Sequence, residues 1–364
     1  MIQLYYTDPP GTKNGVEDKD ISNYVLRLTW SGDTSQAARK IEFEIAYNAK
    51  DETFINLSLQ LGGLLTLSII DDEDRTYDIF YGRIFFRRRS TDGYTFSITA
   101  YDDMIYLAKS KIQRVFEKVT VTDAIKQVCN EIGVPVSNDI PQLNTVVSFL
   151  AENKSCTETF GMLFDRVHAE TGKTYTAIML DGTLTVIEKG TLVEDYVASD
   201  KLNISNTEHS ENIENMVNRV KAIDQHGAIS QVFSIDADVQ RYGLIQDIYK
   251  MQPPKEGETV DNIKMAKDKL KRVETESSLN GIGYFQCITG YAITVEEEQL
   301  RGKFFIKSDS HTFENQQHNM KLSLEYMPDK PEEPVITQTD VAPPYFKTSK
   351  RKRKRLRKGE EKNE

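Results

Sequence analysis

Two stretches far apart in the chain carry the same pattern of apolar and polar positions. The first comprises residues 63–69, 82–86 and 94–101; the second comprises residues 290–295, 302–306 and 318–326. In each, a glycine precedes an apolar strand and a second glycine (Gly82, Gly302) precedes an aromatic one. A polar turn and a final alternating strand then follow. Alternation with period two marks a sheet with one buried face. A fold used twice in one chain lets three copies present six similar units in a ring.

The pattern divides the chain into successive units. Residues 1–111 read as a first tube-like antiparallel β-barrel domain. Its strand over 24–30 turns Tyr24, Leu26, Leu28 and Trp30 to the core and ends at a Ser31-Gly32-Asp33 turn. The next strand alternates through Ile41, Phe43, Ile45 and Tyr47. Thr91-Asp92-Gly93 reads as a turn, and Met104 opens a short helix. Over 112–202 the period changes, giving an α+β module. Ile125, Val128, Cys129 and Ile132 fall on one helical face after a Thr122 cap, and Gly133 closes that helix. Thr157 opens a second helix that stops at Gly172, and Asp181-Gly182 predicts a hairpin. Residues 203–327 read as a second tube-like β-barrel domain with paired strands around His226-Gly227. It carries a helical insertion, 237–280, whose apolar stripe is Ile263, Ala266, Leu270 and Val273, and strands resume near Gly283. Residues 328–349 form a Pro-rich linker (Pro328, Pro331, Pro334, Pro343, Pro344), and 350–364 a basic tail expected to be disordered alone. The fold class is therefore mainly β with α+β modules.

Composition narrows the function classes. A chain of 364 residues is long for one core. The longest apolar run, 61–70, is too short for a transmembrane helix, which needs about 20 residues. The N-terminus shows no basic-then-apolar signal segment. Cys129, Cys156 and Cys287 have no paired short spacing, which argues against a disulfide framework or a zinc site and for a reducing cytoplasm. The net charge is -10, yet residues 350–364 hold nine basic and three acidic residues, so the tail carries +6 and the rest -16.

Candidate chemistry is sparse. His311 and His318 flank a predicted turn at Glu314-Asn315 and can face one another across strands, but no third metal ligand is evident. Asp71-Asp72-Glu73-Asp74 lacks calcium-loop spacing and reads as a solvated turn. Nucleophile elbow, zinc-helix, phosphate-loop and dinucleotide fingerprints do not occur. No cofactor and no small-molecule substrate are expected. The strongest local feature is the basic run of Lys350, Arg351, Lys352, Arg353, Lys354, Arg355, Arg357 and Lys358. It is open to three readings: salt-dependent phosphate binding, docking on an acidic protein surface, or a solubilising tail. The run contains no aromatic residue for base stacking, which disfavours nucleic acid.

With this layout, the chain resembles the baseplate hub proteins of contractile phage tails. The nearest likeness is to the hubs of defective-phage and tail-like bacteriocin particles in the late control protein D group. The likeness covers about residues 1–327 and is carried by three segments. They are Trp30-Ser31-Gly32-Asp33 with the strand after it, Tyr242-Gly243-Leu244-Ile245-Gln246, and the run from Gly302-Lys303-Phe304-Phe305-Ile306 through Lys307-Ser308-Asp309-Ser310-His311-Thr312-Phe313. The resemblance implies a non-enzymatic homotrimer forming a pseudo-sixfold ring between a sixfold tail tube and a threefold spike. Its implied partners are the tail tube protein, the central spike protein, baseplate wedge proteins and the tape-measure protein. Its implied location is the baseplate of a virion or tail-like particle assembled in the bacterial cytoplasm. The competing class is a tail-associated cell-wall hydrolase with 112–202 as the enzyme; no nucleophile, metal set or paired acid is recognisable there.

Overall fold

The computed structural model describes residues 2–11, 18–48, 50–51, 53–71, 73–90, 94–253, 260–328 and 334–340. The predicted turn at 91–93, most of the Pro-rich linker and the whole basic tail lie outside the described residues. The chain is mainly β, and its described residues form two compact units, one within 2–210 with 275–328 and the other within 211–274 with 334–340.

In chain order the first unit begins with β1 (Ile2–Thr7), β2 (Asp18–Asp20), β3 (Val25–Asp33), β4 (Gln36–Ala46), β5 (Leu64–Ile70), β6 (Thr76–Ser90) and β7 (Thr95–Asp102). Helix α1 (Met104–Lys109) leads into β8 (Lys111–Thr120), α2 (Val121–Ile132), β9 (Val146–Ser155), α3 (Cys156–Thr171), β10 (Tyr175–Leu180) and β11 (Thr183–Glu188). The sheet resumes with β12 (Thr191–Ser199) and β13 (Ile204–Asn212). The second unit then supplies β14 (Arg219–Ile223), β15 (Ile229–Ser234), α4 (Asp236–Tyr242), β16 (Gln246–Lys250) and α5 (Asn262–Lys267). The chain returns with β17 (Glu274–Ile282), β18 (Tyr291–Glu296), β19 (Arg301–Glu314) and β20 (Gln317–Tyr326), and ends its described part with β21 (Thr337–Asp340).

The first unit is built on one 13-stranded sheet whose order contains the same sequence of neighbours twice. One half runs β1-β5-β6-β7-β4-β3 and the other β12-β18-β19-β20-β17-β13. The registers also correspond. In the first half Ile84, Ala100, Ile41 and Trp30 stand in one column. In the second, Ile306, Leu324 and Ser277 stand in the matching column, and Ser277 hydrogen-bonds His209 of β13. Each half has a bulge at the same place, between Ile84 and Phe86 and between Ile306 and Ser308. One difference is that β1 runs antiparallel to β5, whereas β12 runs parallel to β18. The halves join where β3 pairs antiparallel with the C-terminal part of β19. Each half has its own apolar core, the first around Leu28, Phe43, Leu67 and Phe96, the second around Leu279, Ile293, Ile306 and Leu322.

The helices and two β-ribbons of 104–188 enclose a third core around Phe116, Ile125, Val128, Phe160 and Leu163. Caps lie slightly earlier than sequence spacing suggests. Thr120, not Thr122, caps α2, because Thr122 instead donates to Pro141 O and accepts from Leu143 N. Ser155, not Thr157, opens α3 with a capping box to Glu158. Gly133 and Gly172 end their helices in the left-handed conformation that lacks a Cβ penalty. Asp181 and Gly182 join β10 and β11 with positive φ at both positions, as a type I′ hairpin requires.

Several boundaries differ from the sequence expectation. Strand β3 continues through Gly32 to Asp33, and its irregularity between Val25 and Arg27 leaves Leu26 exposed. The strands around His226-Gly227 belong to the second unit, in a four-stranded sheet ordered β16-β14-β15-β21. That sheet packs Val220, Phe233 and Tyr249 against Ala266 of α5. Helix α5 stops at Lys267, so Leu270 and Val273 lie beyond it. Strand pairing resumes at β17, earlier than Gly283, because its inward positions are Ser277, Leu279 and Gly281 and hide the alternation.

Candidate functional site

The most organised polar site lies inside the first unit at the β3–β19 junction. Arg39 on β4 reaches across β3 to Asp309 on β19, donating from Nη1 and Nη2 at 2.8 and 2.5 Å. Gly32 stands opposite Asp309 in the ladder, and a Cβ built there would lie 2.3 Å from Arg39 Nη1. The glycine therefore keeps the crossing open. The guanidinium also packs over the Trp30 ring at 4.2 Å. Thr289 donates from its backbone N–H and its hydroxyl to Asp309 Oδ1, both at 2.7 Å. Burial alone would raise the Asp309 carboxyl; the Arg39 charge and these donors instead hold it below the usual range.

The two histidines complete the cluster. Cys287 O can only accept, so His311 carries its proton on Nε2 and donates to it at 3.1 Å. His311 Nδ1 then accepts from His318 Nε2 at 3.0 Å. Burial pushes His311 down to about 4 and His318 to about 3, which keeps both rings neutral. They face one another as the hairpin spacing predicts. Among the described residues no group of three or more His, Cys, Asp or Glu is placed to hold a metal. Asp102 on β7 accepts from the backbone N–H of Arg39 and of Met104, and burial pushes it up to about 7. The arrangement can carry charge and orient strands. Its one thiol among the described residues, Cys287, is fully buried and is pushed up by burial.

A cleft of about 790 Å³ opens nearby in the same unit, with Trp30, Tyr77, Tyr81, Phe285 and Tyr291 among its lining residues and Asp78, Asp181 and Glu194 its acidic groups. Among the described residues its lining contains no His, Cys, Ser, Lys or Arg. The acidic cluster at 71–74 forms a turn in which Asp71 accepts from the backbone of Glu73 and Arg75 and from the Arg75 guanidinium; Asp72 lies outside the described residues. The residues singled out in the basic run, 350–358, also lie outside them.

Sequence reasoning missed two sheet edges, of β13 and of the far end of β6, that no strand covers among the described residues. Among the described residues, strand β13 has β17 as its one neighbour in the sheet order, and its residues 205–206 and 208–212 are exposed. Strand β6 pairs with β5 through Arg83 and with β7 through Ser90. Among the described residues no strand pairs with the side of β6 vacated by β5 beyond Ile84, over Phe85, Phe86, Arg87, Arg88, Arg89 and Ser90, although the Arg87 guanidinium donates to Leu59 O. Three successive arginines in a strand of alternating pattern were the available signal.

A family model described as YQBQ-like matches residues 28–325. Protein YqbQ of Bacillus subtilis (strain 168) is 23% identical over 256 residues, covering 68% of this chain and 77% of that protein. The phage-like element PBSX protein XkdQ of the same organism is 22% identical over 308 residues, covering 82% and 91%. Among solved structures, the 43 kDa tail protein of prophage MuSo2 from Shewanella oneidensis superposes with a TM-score of 0.59 at 13% identity, over 89% of this chain and 97% of that one. At that identity the likeness is one of fold.

Proposed function

The chain belongs to the YQBQ-like family, and from that premise we propose that it is a non-enzymatic hub in the baseplate of a phage-type contractile tail or tail-like particle. The observation that carries this reading is the sheet with one strand order used twice. Two similar halves per chain give three copies six similar edges but three identical ones. A ring of that kind joins a sixfold tail tube to a threefold spike. In this reading each half is a tube-like barrel, the 112–202 module and the 211–274 excursion face surrounding baseplate components, and the tape-measure protein ends in the lumen. The work is binding through large subunit interfaces rather than turnover in a pocket. The basic run from Lys350 to Lys358 docks on an acidic surface of a partner. Deleting 350–358 without any effect on particle assembly would remove that last element alone.

The test is the mass and symmetry of the purified protein, by native mass spectrometry and negative-stain class averages, alone and with the spike. A trimeric ring of six-lobed outline supports the reading. A chain that stays monomeric with the spike present overturns it.

A further inference from the structure

Two of the free edges of the first unit, β13 and the far end of β6, are related to each other by the internal repeat, and the β3–β19 junction is a template for joining them. In the matched columns, Trp30 of β3 corresponds to His209 of β13, and Ile306 of β19 corresponds to Ile84 of β6. At the junction, Trp30 stands opposite His311, five residues after Ile306. Five residues after Ile84 is Arg89, and the bulges at the same place in both strands keep the count in step.

We propose that β13 of one copy adds antiparallel to the open side of β6 in the next copy, with His209 opposite Arg89, so that copies join head to tail in a closed ring. The inference deepens the hub reading and rests on it: it names the strands, register and residues of the subunit interface. In this register Arg87 faces Glu211, Arg88 faces Ser210 and Ser90 faces Glu208. Arg88 lies diagonal to Glu208, within reach of long side chains.

Charge at edges commonly serves to block strand addition, and three arginines on β6 would fit that role alone. The sign distribution argues for more. The β6 edge carries Arg87, Arg88 and Arg89, whereas β13 carries Glu208 and Glu211 with no lysine or arginine. Pairing of β6 with β6, or of β13 with β13, is repulsive; pairing of β6 with β13 is attractive. The template junction has the same chemistry, with Arg27 of β3 4.0 Å from Glu314 of β19. Phe86, 53% exposed beside the open edge, would be covered by the added strand. Main-chain hydrogen bonds along about five residues supply affinity and the charges fix the register.

The experiment uses the full chain with Arg88→Cys and Ser210→Cys, both at exposed positions, oxidised at high concentration and compared with Arg88→Cys and His209→Cys, a frame-shifted pair on opposite faces. Opposed strand positions lie within disulfide reach, shifted ones do not. The expected result is an intermolecular 88–210 disulfide, with little or none at 88–209, in a species of ring mass. Rings that form without the 88–210 disulfide overturn this interface and leave the hub reading standing. The disulfide in open chains of no fixed size supports the strand pairing and counts against the ring. A chain that stays monomeric without either disulfide, alone and with the spike present, overturns both. Independently, Arg87→Glu with Arg88→Glu should raise the concentration for half-assembly about tenfold or more, and Glu208→Lys with Glu211→Lys should restore it. Assembly unaffected by both reversals overturns the pairing.

Discussion

Arg39 and Asp309 form a bidentate, buried ion pair across 270 residues of chain, passing over β3 at Gly32. The pair ties the two halves of the repeated sheet where β3 and β19 share a ladder. Breaking one partner leaves the other charge buried and uncompensated. Arg39→Met or Asp309→Leu alone should therefore lower unfolding free energy by about 3–5 kcal/mol, whereas the double replacement should recover most of that loss. Urea denaturation of the three variants checks it; equal losses in the single and double variants would contradict it.

Gly32→Ala should injure the same contact from the other side. Its Cβ would meet Arg39 Nη1 at 2.3 Å and Cζ at 3.0 Å, so the guanidinium must leave Asp309 or β3 must move. A cost of about 1–3 kcal/mol is expected from overpacking. Because both changes act on one bond, Gly32→Ala should cost little further in an Arg39→Met, Asp309→Leu background. Additive losses in that cycle would separate Gly32 from the ion pair.

The cluster also predicts a pH dependence of definite sign. His311 and His318 titrate near 4 and near 3 in the folded protein against an ordinary 6.5, so their stabilising contribution is full above 6.5 and is lost as pH falls below it. Asp102, pushed up to about 7 from 3.8, works the other way, because the folded protein keeps a proton that the unfolded chain lacks. Near pH 5 the unfolded chain binds two of these protons and the folded protein one, so these groups make stability fall toward acid by about 1.4 kcal/mol per pH unit. Asp102→Asn should about double that slope, and His318→Gln should nearly abolish it. Unfolding free energies measured between pH 4.5 and 6 give the slopes, and identical slopes in all three proteins would contradict the assignment.

Much of the fold was written in local pattern. Ile41, Phe43 and Ile45 alternate and are buried, Gly133 and Gly172 stop their helices, and Asp181-Gly182 turns its hairpin. The buried network was partly legible too. Arg39 falls in phase with Ile41 and Phe43, and Asp309 in phase with His311 and Phe313, so each strand turns one charge of opposite sign inward. What no local pattern carried was their meeting, which depends on β3 pairing with a strand far along the chain. Gly32 shows the limit well: by propensity it marks a turn, but here it continues a strand and makes room for a guanidinium. Strand β17 was hidden because Ser277 and Gly281 occupy positions that apolar residues usually fill.

Gly281 gives a test of the β13 edge that does not touch its charges. A Cβ at Gly281 would lie 2.2 Å from the backbone oxygen of Asn203, and backbone cannot swing aside as a side-chain end can. Ile282 N–H donates to that same oxygen, and Asn280 and Ser277 hydrogen-bond Asn206 and His209 farther along β13. Gly281→Ala should thus pry β13 from β17, costing about 1–3 kcal/mol while leaving the buried Arg39–Asp309 pair intact. Amide hydrogen exchange should rise along 204–210 and stay unchanged along β3 and β4. If β13 is the strand that adds to β6, the same variant should also assemble more weakly than its loss of stability alone explains. Unchanged exchange along 204–210 would show that β13 is held by something other than the close approach at Gly281.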